Sequence, residues 1–178
     1  MNKKIMVIAG SPRKGGNSDL LCDELIRGAD ESGNITEKIY LNDLHILPCQ
    51  ACYGCRSTGK CVQKDDMANL LAKMIAADVI VLATPVYFYS MSGQMKTMID
   101  RTLPCYTAIK NKDFYLIATA AAGAESMERA IESLRGFTDC LPGSSRVRGV
   151  IYGAGVYLKG DVLKTTTMQE AFNAGKSI

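Results

Sequence analysis

The stretch IMVIAGSPRKGGNS, residues 5–18, joins a short apolar run to a loop rich in glycine and polar side chains. Its five apolar residues, Ile5 to Ala9, have the length of a strand and do not alternate, which is typical of a strand buried on both faces. Beyond the loop, apolar residues recur with helical spacing at Leu21, Leu25 and Ala29. This order of strand, glycine loop and helix predicts the first strand-helix unit of a parallel sheet.

Similar apolar runs recur along the rest of the chain. The further predicted strands are Val79–Ala83, Phe114–Ala118, the less regular Val147–Tyr152, and the alternating stretch Ile35–Leu41, which is typical of an edge strand. Segments with helical spacing lie between these runs. Parallel strands need helical crossovers, so this alternation indicates a parallel sheet. We therefore predict one α/β domain, residues 1–178, with a doubly wound five-stranded parallel sheet. In residues 153–178 we expect a loop up to Lys164 and a short final helix from Thr166 to Phe172.

Composition narrows the classes of partner. The chain has 178 residues, 47% hydrophobic and 22% charged, with a formal net charge of +3. No block of like charges suggests a nucleic-acid or membrane-surface patch, so small molecules are the expected partners. The apolar run Ile5–Ala9 is too short for a signal peptide or a membrane span, and we expect a cytoplasmic protein.

The loop after the first strand has the composition of a phosphate site. At the carboxyl end of such a strand the unpaired N–H groups of a helix N-terminus attract anions, and glycines let the backbone approach them. Gly16-Asn17 replaces the Lys-Ser/Thr of a nucleotide triphosphatase loop, and the dinucleotide fingerprint G-x-G-x-x-G is absent. The alternative is a polar turn in which Asn17 or Ser18 caps the helix without a ligand.

Four of the seven cysteines lie close together in the irregular segment Asn42–Asp65. An odd number of cysteines in a chain expected in the cytoplasm argues against a disulfide framework, so metal ligation or redox chemistry is the better explanation of the group. The spacings of x2, x2 and x5 suit a [4Fe-4S] cluster. Zinc and unligated thiols remain alternatives, although structural zinc usually takes two C-x2-C pairs. The candidate metal ligands are Cys49, Cys52, Cys55 and Cys61.

Three segments, taken in order, resemble a known family. They read GSPRKGGNSDLL (10–21), PCQACYGCRSTGKCVQKDDM (48–67) and ATPVYFYSMSGQMKTMIDR (83–101). They are similar to signature segments of the flavodoxin-like, NAD(P)H-dependent FMN reductases, and most of all to the branch called iron-sulfur flavoproteins. The resemblance covers roughly the first hundred residues, and the remainder matches only in its alternation of strands and helices.

The resemblance also implies functional residues. The FMN phosphate would be held by Ser11, Arg13, Gly16, Asn17 and Ser18; the isoalloxazine ring would be lined by Pro85, Val86, Tyr87 and Phe88; and Ala121, Ala122 and Gly123 would form a third wall. All three loops follow neighbouring predicted strands, and the carboxyl ends of such strands form the ligand-binding edge of a parallel sheet.

The expected function is that of an FMN-dependent oxidoreductase, whose flavin supplies the chemistry without a catalytic side chain. NAD(P)H would be the electron donor, and a flavin, a quinone or a similar small molecule the acceptor. The alternative is a ferredoxin-linked electron carrier without NAD(P)H activity, in which a [4Fe-4S] cluster feeds the flavin. The resemblance implies FMN bound across a subunit boundary and hence a homodimer or a homotetramer, for which the apolar and aromatic stretch Val86–Met95 is the candidate contact.

Overall fold

The central sheet of the computed structural model, which describes residues 2–178, has five strands that are all parallel. They are β1 (Lys4–Ala9), β2 (Ile35–Tyr40), β3 (Val79–Pro85), β4 (Asp113–Thr119) and β5 (Arg146–Gly153). Their order across the sheet is β2-β1-β3-β4-β5. The predicted five-stranded parallel sheet is therefore confirmed, and the alternating segment forms an edge strand.

Helices cover both faces of this sheet. They are α1 (Asn17–Glu31), α3 (Met67–Ala76), α4 (Gly93–Asp100), α5 (Glu128–Asp139) and α6 (Thr167–Lys176), while the four-residue α2 (Cys55–Thr58) buries no residue. In β1, Ile5 and Val7 belong to an apolar cluster with α1 and α6, whereas Met6 and Ile8 belong to a second cluster with α3, α4 and α5. Side chains on both faces of β1 are thus buried, which explains its unbroken apolar run.

α6 packs directly against α1, and two glycines make this possible. A Cβ added to Gly175 would overlap the carbonyl oxygen of Leu25, and one added to Gly28 would overlap that of Phe172. The two helices are therefore in backbone contact. The final helix extends past Phe172, where the sequence prediction ended it, to Lys176.

The segment between β5 and α6 differs in part from the predicted loop. Gly153 is the last residue of β5, and a short 3-10 helix spans Asp161–Lys164. The remaining residues of this segment form the expected loop. No helix among residues 2–178 is long and apolar enough to cross a membrane.

The carboxyl ends of β1 and β3 are tied together where their loops begin. The Gly10 amide donates to the Ala83 carbonyl at 2.8 Å, and the Ser92 hydroxyl donates to the Gly10 carbonyl at 2.8 Å. A Cβ at Gly10 would lie 3.0 Å from both the Ala83 carbonyl oxygen and the Ser92 hydroxyl oxygen. Glycine at this position therefore keeps the loops after the two strands side by side.

Candidate functional site

A cavity of about 200 Å³ lies at the carboxyl edge of the sheet. Loops after β1, β3, β4 and β5 contribute to it. Its lining residues are Ser11, Arg13, Gly16, Asn17, Ser18, Pro85, Val86, Tyr87, Thr119, Ala120, Ala121, Val156, Tyr157 and Lys159. The structure thus brings together all five residues expected around a phosphate and four of the seven expected around a flavin ring.

The loop after β1 delivers an uncapped helix N-terminus to this cavity. Gly16 is the N-cap of α1, and no side chain accepts a hydrogen bond from the first turn. The alternative of a turn capped by Asn17 or Ser18 is therefore wrong. Ser11 Oγ instead accepts from the Arg13 amide at 3.1 Å and shapes the loop. Unpaired N–H groups at a helix N-terminus suit an anion, so the loop has the chemistry of a phosphate site.

A buried ion pair stabilises the loop after β1. Asp19, with a side chain only 2% exposed, accepts a hydrogen bond from the Gly15 amide at 2.6 Å and pairs with Lys38. Burial alone would lower the pKa of Lys38, but its bonds to Asp19 and Asp23 outweigh this and raise it, so Lys38 stays charged. Gly15 has a φ of +68°, a conformation that favours glycine. Sequence reasoning missed Asp19, whose only signal is an acid in the first helical turn.

The side chain of Asn17 forms hydrogen bonds with the loop after β5 and does not point freely into the cavity. Its amide nitrogen donates to the Leu158 carbonyl at 2.9 Å, while its oxygen accepts from the amides of Gly160 and Val162 at 3.1 and 3.3 Å. Asn17 therefore anchors the loop after β5 against α1. Its backbone remains at the cavity, but its side-chain amide is committed elsewhere.

Only some of the residues expected around a flavin ring line the cavity. Pro85, Val86, Tyr87 and Ala121 line it, whereas Phe88, Ala122 and Gly123 do not. The side chain of Phe88 is wholly exposed, and the backbone has positive φ at Phe88 and Tyr89. The chain reverses there, with Tyr87 and Ser90 paired through both of their backbone groups. Contact of Phe88, Ala122 and Gly123 with a flavin stays a prediction.

The four clustered cysteines line a second hollow, of about 20 Å³, which shares no residue with the first cavity. Cys49 and Cys52 are exposed, Cys55 and Cys61 are half-buried, and none forms a disulfide. Among residues 2–178, no three His, Cys, Asp or Glu side chains are close enough together to hold a metal ion. The structure therefore collects the four thiols around one space without the geometry of a bound metal.

The backbone of this cysteine loop has an unusual conformation. Ala51 and Tyr53, which flank Cys52, have φ of 51° and 56°. Left-handed non-glycine residues cost about 1–2 kcal/mol each, so the loop holds this conformation against a local energetic cost. A loop that places four thiols around one space fits an iron-sulfur cluster in the chemistry of its donors.

An ion pair closes the base of the cysteine loop. Arg101 and Asp65, with side chains 1% and 3% exposed, form a double hydrogen bond at 2.6 and 2.8 Å. Arg101 also donates to the Leu47 carbonyl at 2.6 Å, so it joins the residues on either side of the loop. Burial alone would raise the pKa of Asp65, but the hydrogen bonds from Arg101 and from the amides of Leu47 and Met67 together outweigh burial and lower that pKa.

Comparison with known proteins identifies the family. The NADPH-dependent FMN reductase family matches residues 3–152. The chain belongs to this family. Enzymes of this family are flavin-dependent oxidoreductases. The resemblance predicted from the three segments is confirmed.

Individual relatives agree with the predicted branch of this family. The chain is 38% identical over 136 residues to an iron-sulfur flavoprotein of Methanocaldococcus jannaschii, covering 75% of the chain and 70% of the relative. It is 41% identical over 101 residues to an iron-sulfur flavoprotein of Archaeoglobus fulgidus, covering 57% of the chain and 46% of the relative. The chain thus spans only part of each curated relative.

A solved structure supports the fold. The NAD(P)H:quinone oxidoreductase from Methanothermobacter marburgensis superposes with a TM-score of 0.71 at 15% identity, covering 99% of this chain and 97% of that one. A likeness at this identity shows a shared flavodoxin-like fold and says nothing further about substrates.

Proposed function

We propose that this protein binds FMN in the cavity at the carboxyl edge of the sheet and uses it to transfer electrons from NAD(P)H to a small acceptor such as a flavin or a quinone. One observation carries the proposal: the uncapped N-terminus of α1 lines the same cavity as Pro85, Val86, Tyr87 and Ala121. An anion site next to a largely apolar wall suits a phosphorylated flavin.

The residues of the first loop would hold the phosphate of FMN. Of Ser11, Arg13, Gly16, Asn17 and Ser18, Asn17 and Ser18 offer unpaired backbone N–H groups at the helix N-terminus and Arg13 offers a cation, while Ser11 and Gly16 shape the loop. Gly16 allows this conformation of the loop, because a Cβ there would lie 2.9 Å from the Arg13 carbonyl oxygen. The apolar wall would take the isoalloxazine ring.

When bound, FMN would accept a hydride from a reduced nicotinamide and pass electrons to the acceptor. The described residues that line the cavity include no carboxylate, histidine or cysteine. This protein's own contribution would therefore be to orient the flavin and to limit its exposure to water. The proposal needs no proton-transfer residue.

The second candidate is an electron carrier in which a [4Fe-4S] cluster receives electrons from ferredoxin. The observation that favours it is the arrangement of Cys49, Cys52, Cys55 and Cys61 around one hollow, with left-handed backbone between them. These four thiolates would hold the cluster, and the hollow would widen to admit it. A zinc ion in the same place is the remaining metal alternative.

Turnover under anaerobic conditions separates the two candidates. Protein loaded with FMN is mixed with NADH or NADPH and a quinone, and loss of the nicotinamide absorbance is followed. We expect steady turnover with at least one of the two nucleotides. No turnover with either, together with rapid reduction by ferredoxin, would contradict the enzyme and support the carrier.

Iron and acid-labile sulfide counts test the cluster. After anaerobic reconstitution we expect the wild type to bind iron and sulfide in equal numbers, and Cys61→Ser to lose most of both because thiolates are the ligands such clusters require. Cys140→Ser, which changes an exposed cysteine outside the loop, should match the wild type. Iron-free protein that binds one zinc ion would contradict the cluster.

A homodimer or homotetramer is also proposed. Tyr87, Phe88 and Tyr89 expose their rings beside the mouth of the cavity, where a second copy would cover them. Exposed aromatic side chains grouped in this way are typical of subunit contacts.

A further inference from the structure

Lys159 lies across the phosphate loop although the two are distant in sequence. It lines the cavity together with Val156 and Tyr157. A Cβ built on Gly15 would meet the Lys159 side chain, with Cε 2.8 Å and Nζ 3.0 Å away. The end of the lysine side chain therefore lies against the backbone of the loop at Gly15. All three lining residues lie outside the range 3–152 that matches the family.

The segment that carries Lys159 is fixed by hydrogen bonds. We call residues 156–162 the C-terminal wall. Asn17 binds this wall through its three hydrogen bonds from the first turn of α1. Within the wall, Asp161 accepts from the amides of Tyr157 and Leu158 at 3.1 and 2.6 Å. The backbone on both sides of Lys159 is therefore held against the phosphate loop.

The charges around the cavity are not balanced. Its lining includes two cations, Arg13 and Lys159, and no carboxylate. Neither cation forms an ion pair with any of residues 2–178, whereas neighbouring Lys14 pairs with Asp43 at 2.6 Å. Two unpaired cations beside a helix N-terminus suit a dianion, and a phosphate monoester carries about −1.5 to −2 charges at neutral pH.

We propose that Lys159 supplies the second cation to the phosphate of FMN and so makes the cavity select phosphorylated flavin over riboflavin. This inference rests on the proposed function, because it requires FMN in this cavity. Arg13 would approach the phosphate from the loop after β1, and Lys159 from the C-terminal wall. A lysine on a flexible stem can follow the phosphate as it enters, and the wall keeps the stem within reach.

Titration of flavin-free protein with FMN and with riboflavin, followed by flavin fluorescence, tests this assignment. Lys159→Met keeps the stem and removes the charge, so we expect about tenfold weaker binding of FMN and unchanged binding of riboflavin. The fall of FMN affinity with added salt should also become shallower. Lys159→Arg keeps the charge and should bind FMN within about threefold of the wild type. Lys164→Met, a change at an exposed lysine outside the cavity lining, is the matched control and should leave both affinities unchanged.

Two results would overturn the assignment. One is unchanged FMN affinity in Lys159→Met. The other is an equal loss of FMN and riboflavin affinity, since riboflavin has no phosphate and the removal of a phosphate-binding cation should not weaken its binding. A wild type that binds neither flavin would contradict the proposed function together with this inference. Because Lys159 is exposed and makes no hydrogen bond within residues 2–178, unfolding of the flavin-free variants should match that of the wild type.

Discussion

At the scale of single residues, glycines decide how closely the chain approaches the phosphate site. Gly16 has an ordinary φ of −74°, so its need for glycine comes from space and not from backbone strain. The Arg13 carbonyl oxygen would lie 2.9 Å from an added Cβ, closer than real Cβ atoms approach backbone. The loop would have to move, and its N–H groups would move with it.

Gly16→Ala should therefore weaken FMN binding by about tenfold or more, because it displaces the donors around the phosphate. Gly93→Ala is the matched control, since an added Cβ there meets nothing within 4 Å, and its FMN affinity should be that of the wild type. Fluorescence titration measures both. Equal affinities for Gly16→Ala and the wild type would place the phosphate elsewhere.

Asp65 links the cysteine loop to acid stability. Its pKa is lowered from the ordinary value of 3.8, so its ion pair with Arg101 stabilises the fold above that pH and is lost as the pH falls through the lowered pKa. Removing one partner of a buried pair typically costs about 3–5 kcal/mol. Asp65→Asn should lose stability of that order at neutral pH.

The difference in unfolding free energy between Asp65→Asn and the wild type should shrink as the pH falls below 3.8, because the wild type loses the same charge. Urea titrations at neutral and acid pH measure it. Asp100→Asn, which breaks an exposed pair with Lys96, should cost at most about 1 kcal/mol at either pH. A difference that stays constant on acidification would contradict this account of Asp65.

At the scale of elements, the contact of α1 with α6 supports the site indirectly. α1 carries the phosphate loop at its start, and α6 follows the C-terminal wall. Their backbones touch at Gly28 and Gly175, and the Ser32 hydroxyl donates to the Lys176 carbonyl at 2.8 Å. Packing of the two helices thus holds both sides of the proposed phosphate site in place.

Gly175→Ala should destabilise the protein by about 1–3 kcal/mol, because the added methyl group forces the helices apart. Gly136→Ala in α5 is the control: its Cβ meets nothing within 4 Å, and replacing a helical glycine by alanine should stabilise by about 0.5–1 kcal/mol. Thermal unfolding distinguishes the two. A Gly175→Ala variant as stable as Gly136→Ala would mean that the helices are not in backbone contact.

The sequence predicts elements better than it predicts contacts between distant residues. The strands were predictable because both faces of β1, β3 and β4 are apolar and buried, which leaves an unbroken apolar run in each. Bonds such as those of Asn17 to the C-terminal wall join residues more than 140 positions apart, and no local pattern reports them. The same holds for Arg101, which stands next to Asp100 in sequence but pairs with Asp65.

At the scale of the whole molecule, we propose that residues 1–178 form a single flavodoxin-like domain, since the last helix packs on the first. The packing of this domain does not explain why the exposed turn Tyr87–Ser90 adopts its conformation. Its residues Phe88 and Tyr89 are left-handed at a cost of about 1–2 kcal/mol each, and Phe88 is wholly exposed. Burial against a second copy would offset that cost.

Phe88→Asp should therefore convert a dimer or tetramer into smaller species, because a charge would be buried in the subunit contact. Light scattering measures the mass. Ile35→Asp changes an exposed apolar residue at the opposite, amino end of the sheet and should leave the mass of the wild type unchanged. A wild type that is monomeric at high concentration would exclude the proposed assembly.

The position of FMN in a crystal of the loaded protein tests the central claim most directly. We predict that the phosphate lies within hydrogen-bond distance of the backbone N–H groups of residues 11–18, with the ring against Pro85, Val86 and Ala121. Flavin bound at another place, with the α1 N-terminus closed against its own side chains, would contradict the account.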